Sequence, residues 1–216
     1  MKKFWLTVMV VLMAAVMAFT FVGCGENPDN GGNGGAAANV DKDVSDAALK
    51  NLAVGKKVYL TTIGQGELPV ANNLMKAAGL TAADYTEKND LKAADVEEGA
   101  VVFMVLGASG KGLGAAGTDA TKELARANEF KAAQEAGKLQ IVAMHLGGKN
   151  RRGDTSDPSI RVIVPVSKVV MVVNADNNDG GNYDGLFTSL AGESVPLYTF
   201  TKATKIVNSL KFLLGK

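Results

Sequence analysis

The segment AVVFMVL, residues 100–106, is apolar at every position and leads into the glycine-rich run GASGKGLGAAGTD, residues 107–119. A strand with one face in water alternates apolar and polar residues, whereas a parallel strand covered by helices on both faces is apolar nearly throughout. The segment therefore predicts a buried strand of a parallel sheet.

Strand-like and helix-like segments alternate on both sides of this strand. Further strands are predicted at KVYLTTI (57–63), QIVAMHL (140–146), KVVMVVN (168–174) and VPLYTF (195–200), with a weaker one within 84–90. Helices are predicted at 67–79, 91–98, 118–137, 184–192 and 201–215. This alternation predicts an α/β fold, a three-layer α/β/α sandwich with a mainly parallel sheet, Rossmann-like or flavodoxin-like.

The amino terminus has the pattern of an export signal. Two lysines after Met1 precede an uncharged, mostly apolar stretch from Phe4 to Val22, as in a secretory signal peptide. The stretch is nearly long enough to cross a bilayer, so an uncleaved amino-terminal anchor is an alternative.

The end of that stretch, FVGC at 21–24, resembles the lipobox of bacterial lipoproteins. The resemblance implies that residues 1–23 are a lipoprotein signal peptide and that Cys24 carries a lipid. The protein is then extracytoplasmic and is anchored to a bacterial membrane through Cys24. Phe21 departs from the leucine that is usual in this motif. Cys24 is the chain's single cysteine, so the domain forms no internal disulfide.

Residues 24–44 are rich in Gly, Asn, Ala and Asp and offer little to bury. We expect them to form a flexible tether, whose reach as a random coil is about 25 Å. The remaining residues, 45–216, are expected to form a single α/β domain. Cleavage of the signal peptide would leave one more acidic than basic side chain. This balance gives no electrostatic support for nucleic-acid binding.

Each strong strand is followed by a polar, glycine-rich loop, and these loops should meet at one edge of the sheet. Right-handed crossovers place the carboxyl ends of all the strands there. Ligands of open α/β sheets bind outside these ends, where the strand order reverses. The sequence therefore predicts a ligand site built from the loops.

The loop after residue 106 contains GLGAAG, 112–117, which formally matches a dinucleotide-binding motif. Its glycines begin too far from the strand, and this strand is not the first, so we predict no nucleotide cofactor. Backbone amides around Gly112 and Gly114, together with Lys111, still favour an anion. The alternative is a flexible loop with a solvated lysine.

HLGGKNRRGD, residues 145–154, holds the only histidine of the chain and an arginine pair. Arg151 and Arg152 can bind a carboxylate or phosphate through planar forks, or can simply be solvated. His145 is a candidate general base of a hydrolase, oriented by Asp157 or Asp184. Asp157 can instead begin a short helix.

The loop after residue 174 is rich in Asp, Asn and Gly, but the spacing of Asp176, Asp179 and Asp184 does not match an EF-hand. We therefore predict no metal site and treat this stretch as a surface loop.

Four segments together resemble an exported bacterial family, domain of unknown function 6305: LTTIGQG, GASGKGLGAAGTD, HLGGKNRRGDTSD and GNYDGLFT. The similarity covers residues 56–212. The first motif of the family is closer to GQSAD, from which Gly66, Glu67 and Leu68 depart. The resemblance implies an α/β fold and no known chemistry, and it points to the following positions: Gln65, Lys111, His145, Arg151, Arg152, Asp157, Asn182 and Asp184.

We therefore expect a lipid-anchored domain that binds a small anionic ligand. Lys111, Arg151 and Arg152 would supply the charge, and Gln65 and Asn182 would orient the ligand. A hydrolase that uses His145 and a module that binds an envelope protein are the two alternatives.

Overall fold

The computed structural model describes residues 39–174 and 180–216. The predicted signal peptide, Cys24, most of the predicted tether, Asp176 and Asp179 lie outside the described residues. The strands are β1 (Asn39–Val40), β2 (Val58–Ile63), β3 (Thr86–Glu87), β4 (Ala100–Leu106), β5 (Leu139–His145), β6 (Val169–Val173) and β7 (Leu197–Phe200). The α-helices are α1 (Leu68–Ala77), α2 (Gly110–Ala115), α3 (Ala120–Glu135), α4 (Asp157–Ile163), α5 (Leu186–Ala191) and α6 (Val207–Leu214).

The strands form one parallel sheet in the order β1-β7-β6-β5-β4-β2-β3. Without the two-residue β1, this is the doubly wound order of the flavodoxin type, whose direction of winding reverses between β2 and β4. The predicted three-layer α/β fold is confirmed.

Helices cover both faces of the sheet. Val101, Phe103 and Val105 of β4 belong to the core beneath α1 and α6, whereas Val102 and Met104 belong to the core beneath α3, α4 and α5. Both sets of side chains are fully buried. This two-sided burial explains why the strand is apolar at every position.

Residues 39–44, which we assigned to the tether, belong to the folded domain. β1 pairs with β7, and the Asp41 carboxylate accepts hydrogen bonds from Thr201 and Lys205. Val44 is buried, and its backbone N–H donates to the Ser209 hydroxyl at 3.0 Å. Folded structure therefore begins before residue 45, because a polar segment can pair at a sheet edge through its backbone without burying many side chains.

Two elements differ locally from the prediction. Residues 110–115, expected to be loop, form α2, with Ser109 as its N-cap. The last predicted helix begins as a 3-10 turn, Ala203–Ile206, before α6. Within residues 39–174 and 180–216, no helix has the length and hydrophobicity needed to cross a membrane.

Candidate functional site

The winding reverses between β2 and β4, and the loops that follow these two strands lie against each other. The Ser109 N–H donates to the Gly64 carbonyl at 2.9 Å. A Cβ at Gly64 would lie 2.5 Å from the Gly107 carbonyl oxygen. Only glycine permits such a close approach, so the two loops form one edge of a crevice at the switch point.

The loop from β2 into α1 has an unusual backbone. Gln65 and Glu67 both adopt left-handed conformations, with φ of 61° and 55°. Glu67 is the N-cap of α1, but its side chain makes no capping hydrogen bond, and Pro69 lies in the first turn. The positive end of the helix dipole therefore lies at the crevice without a side-chain acceptor.

A buried ion pair on α3 binds the loop between β2 and α1, and neither of its two residues was predicted as a site residue. The Glu123 carboxylate, in a residue only 3% exposed, accepts hydrogen bonds from the Gly64 N–H at 2.7 Å and the Gln65 amide at 3.2 Å. The Arg126 guanidinium donates to the same carboxylate at 2.5 Å and to the Leu91 carbonyl at 3.1 Å. Gln65 is thus fixed by the protein itself.

A sequence signal for this pair exists in the spacing of α3. Leu124, Ala127 and Phe130 are apolar residues at three-residue spacing, but Leu124 is only partly buried. The buried face is Glu123, Arg126, Ala127 and Phe130, which is the i, i+3, i+4, i+7 spacing of one helix face. Charged residues in two of these four positions indicate a paired, buried site.

Arg151 crosses the crevice and meets Glu67. The Arg151 Nε donates to the Glu67 Oε1 at 2.7 Å, and the two side chains are 33% and 22% exposed. Its aliphatic part runs over glycines, because a Cβ at Gly147 would lie 2.1 Å from the Arg151 Cγ and one at Gly107 2.9 Å from its Cβ. Within the described residues, no hydrogen-bond partner lies near its two terminal nitrogens.

Arg152, the adjacent arginine, is inside the protein, with a side chain 1% exposed. Its Nε and Nη2 donate to the Asp157 carboxylate at 2.7 and 3.1 Å, and its Nη2 also donates to Asp184 at 3.0 Å. Its Nη1 donates to the Gly181 carbonyl and to Asp184. The guanidinium carbon lies 5.4 Å from the centre of the Phe187 ring.

These contacts keep Arg152 charged and occupied. Burial disfavours its charge, but the hydrogen bonds that Arg152 donates to the two carboxylates outweigh this and raise its pKa above the usual value. Partial burial of Asp184 is likewise outweighed by Arg152, so the pKa of Asp184 is lowered. Arg152 thereby joins the loops after β5 and β6. It has no free donor for a ligand, whereas we expected it to supply charge to an anion.

His145, at the end of β5, is 0% exposed. Its Nδ1 lies 2.7 Å from the Leu106 carbonyl oxygen and its Nε2 lies 2.9 Å from the Gly148 carbonyl oxygen. Burial lowers its pKa below the usual value and Arg152 adds to this, against the opposing effect of the two carbonyl groups and Asp157. Both ring nitrogens face backbone carbonyl groups and the ring is fully buried, so this arrangement does not favour His145 as a general base.

Lys111, Gly112 and Gly114 lie on α2. Lys111 is exposed. The Gly112 N–H donates to the Ser109 hydroxyl at 3.2 Å, so this amide is not free for a ligand as predicted. A Cβ at Gly112 would lie 2.4 Å from the Gln65 carbonyl oxygen, whereas one at Gly114 would meet nothing within 4 Å. Gly112 therefore serves the packing of α2 on the Gln65 loop.

The Asn182 side chain is hydrogen-bonded to the first turn of α5, whereas we expected it to orient a ligand. Its Oδ1 accepts from the Phe187 N–H at 2.9 Å, and its Nδ2 donates to the Thr188 hydroxyl at 2.8 Å. Nearby, the Lys149 Nζ lies 4.9 Å from the centre of the partly exposed Tyr183 ring. Lys149 thus remains a surface cation next to Arg151.

A separate groove of about 530 Å³ lies at the opposite edge of the sheet, between α3 and the segment before β4. Alanines dominate its walls, with Glu98, Glu129 and Lys138 beside them. None of the predicted site residues lines this groove. Among the residues that the structure describes, no group of His, Cys, Asp and Glu side chains has the arrangement of a metal site.

Comparison with known proteins supports the family assignment and adds no chemistry. The model of a family described as "Domain of unknown function (DUF6305)" matches residues 55–214, which is most of the chain. No curated protein and no solved structure matches the chain.

Proposed function

The chain belongs to the DUF6305 family, whose domain is of unknown function, and we propose from the geometry of its site that it binds a small anionic ligand at the switch point between β2 and β4. Sulfate, phosphate and small carboxylates share the chemistry that this crevice would recognise. The ligand would lie between the start of α1 and Arg151.

The observation that carries the proposal is the position of the Arg151 guanidinium at the start of α1. Its Nε holds Glu67, while its two terminal nitrogens form the fork that binds oxyanions. α1 begins there without a side-chain cap, and the positive end of its helix dipole favours negative charge. Lys149 and Lys111 are exposed cations on the neighbouring loop and on α2.

Glu67 would compete with the ligand, because its carboxylate already occupies one side of Arg151. Thermal unfolding of the full-length chain with a panel of sulfate, phosphate and carboxylates tests this. An anion at one hundred times its dissociation constant stabilises a protein by about 2.7 kcal/mol. We expect the stabilisation to be lost in Arg151→Gln and increased in Glu67→Gln.

Arg161→Gln is the matched control, since Arg161 is an exposed arginine of α4. It should respond to anions as the wild type does. If no anion stabilises the wild type, or if Arg151→Gln responds equally, the proposal is wrong.

We also propose that the domain is extracytoplasmic and anchored to a bacterial membrane by a lipid on Cys24. The FVGC motif after an apolar stretch supports this. The wild type expressed in bacteria should sediment with membranes, whereas Cys24→Ala should lose the lipid mass and its attachment. Equal attachment of both, with no added mass on Cys24, would favour the uncleaved anchor.

A further inference from the structure

His145 contacts the end of β4 and the loops that follow β5 and β6, beside the proposed site. Its two nitrogens face carbonyl groups at the end of β4 and in the loop after β5. A Cβ at Gly181, in the loop after β6, would lie 2.1 Å from the His145 Cδ2. The Phe187 ring of α5 is 5.1 Å away, centre to centre.

The two ring nitrogens of His145 both face hydrogen-bond acceptors, so two N–H donors are needed to satisfy both contacts. A carbonyl oxygen only accepts, and a neutral imidazole carries a single N–H. A neutral His145 can donate to the Leu106 carbonyl or to the Gly148 carbonyl, while its other nitrogen directs a lone pair at the remaining oxygen. Only the imidazolium form donates to both carbonyl groups at the observed distances of 2.7 and 2.9 Å.

When His145 is neutral, the contact that is lost should be the one between its ring and the Gly148 carbonyl. Leu106 belongs to the central strand β4 and is fixed by the sheet, whereas Gly148 lies in the 3-10 turn Gly148–Arg151. That turn ends in Arg151, the residue that we place at the anion. The Arg151 carbonyl in turn accepts from the Ala108 N–H at 3.3 Å.

We propose that His145 is a proton-dependent positioning residue, whose protonation fixes the Gly148–Arg151 turn and thereby places Arg151 for the anion. This inference rests on the proposed function. It assigns His145 no contact with the ligand, since the ring is fully buried. Binding of an anion that needs the ordered Gly148–Arg151 turn is then coupled to uptake of a proton by His145.

The charged groups around His145 define the direction of the effect. Arg152 from its own loop opposes the imidazolium, Asp157 of α4 favours it, and Asp184 acts only through Arg152. Burial lowers the pKa of His145 and so favours the neutral ring in the free protein. Since anion binding favours the imidazolium, affinity should rise as the pH falls below the usual histidine range.

The test is titration of the full-length chain with sulfate at several pH values by calorimetry. Sulfate keeps its charge where histidine titrates, so the ligand adds no pH dependence. We expect the affinity of the wild type to rise on acidification, by at most about tenfold per pH unit for one linked proton. The competing carboxylate of Glu67 is removed by making the comparison in a Glu67→Gln background. There, the affinity should still rise on acidification with His145 in place and should not change with pH in His145→Gln, which cannot titrate.

A second measurement uses only the wild type, so it does not require His145→Gln to fold. His145 is the only histidine, so its ring ¹⁵N signals are assigned without ambiguity. Sulfate should raise the pKa of His145, and protonation of His145 should shift the amide signals of Gly148 and Arg151.

Wild-type affinity that does not change with pH, or ring titration without movement of those amides, would overturn the inference. If sulfate fails to bind at every pH, the proposed function fails, and the amide shifts alone decide whether His145 controls the turn.

Discussion

Two adjacent arginines, Arg151 and Arg152, illustrate how strongly the environment separates identical side chains. Arg151 is one third exposed and has one partner, while Arg152 is enclosed by two carboxylates, a carbonyl group and aromatic rings. In our proposal the first exchanges its partner for a ligand, whereas the contacts of the second hold the loops of the fold together. Sequence could identify the pair as important but could not assign these roles.

Replacing Arg152 by alanine should therefore destabilise the fold strongly. The change leaves Asp157 and Asp184 without their common partner, and breaking a buried ion pair typically costs about 3–5 kcal/mol. Arg151→Ala removes a partly exposed pair, which contributes about 0–1 kcal/mol. Urea unfolding of both variants measures the difference, and comparable losses would show that our assignment of the two arginines is wrong.

At the scale of elements, α2 is the least expected part of the fold. Its sequence, GKGLGA, has three glycines and low helix propensity. The helix forms because Ser109 caps it, Leu113 is buried, and Gly112 lets it pack against the Gln65 carbonyl. Tertiary contacts thus override local propensity, and a sequence pattern alone predicts a loop.

Two glycines of α2 should respond oppositely to substitution by alanine. Gly114→Ala meets no neighbouring atom and should stabilise the protein by about 0.5–1 kcal/mol, since glycine is a poor helix former. Gly112→Ala brings a Cβ within 2.4 Å of the Gln65 carbonyl oxygen and should destabilise it. Each variant is the other's control in thermal unfolding, and changes of the same sign would contradict this packing of α2.

For the whole molecule, the sheet and its two helical layers could be predicted because burial on both faces makes β4, β5 and β6 nearly continuous apolar runs. The expectation of a ligand site at the carboxyl edge followed from the same topology. The pairing of individual side chains around the site could not be predicted. Glu123 and Gln65, or Glu67 and Arg151, are far apart in sequence, and only the packed fold brings them together.

Mapping a bound anion tests the central claim most directly. We would follow the backbone amide signals of the full-length chain during a sulfate titration. The account predicts that the shifts concentrate at Gln65–Leu68 and at Gly148–Arg151 and disappear in Arg151→Gln. Shifts confined to the alanine-lined groove at the opposite edge, or no shifts at any concentration, would contradict an anion site at the β2–β4 switch point.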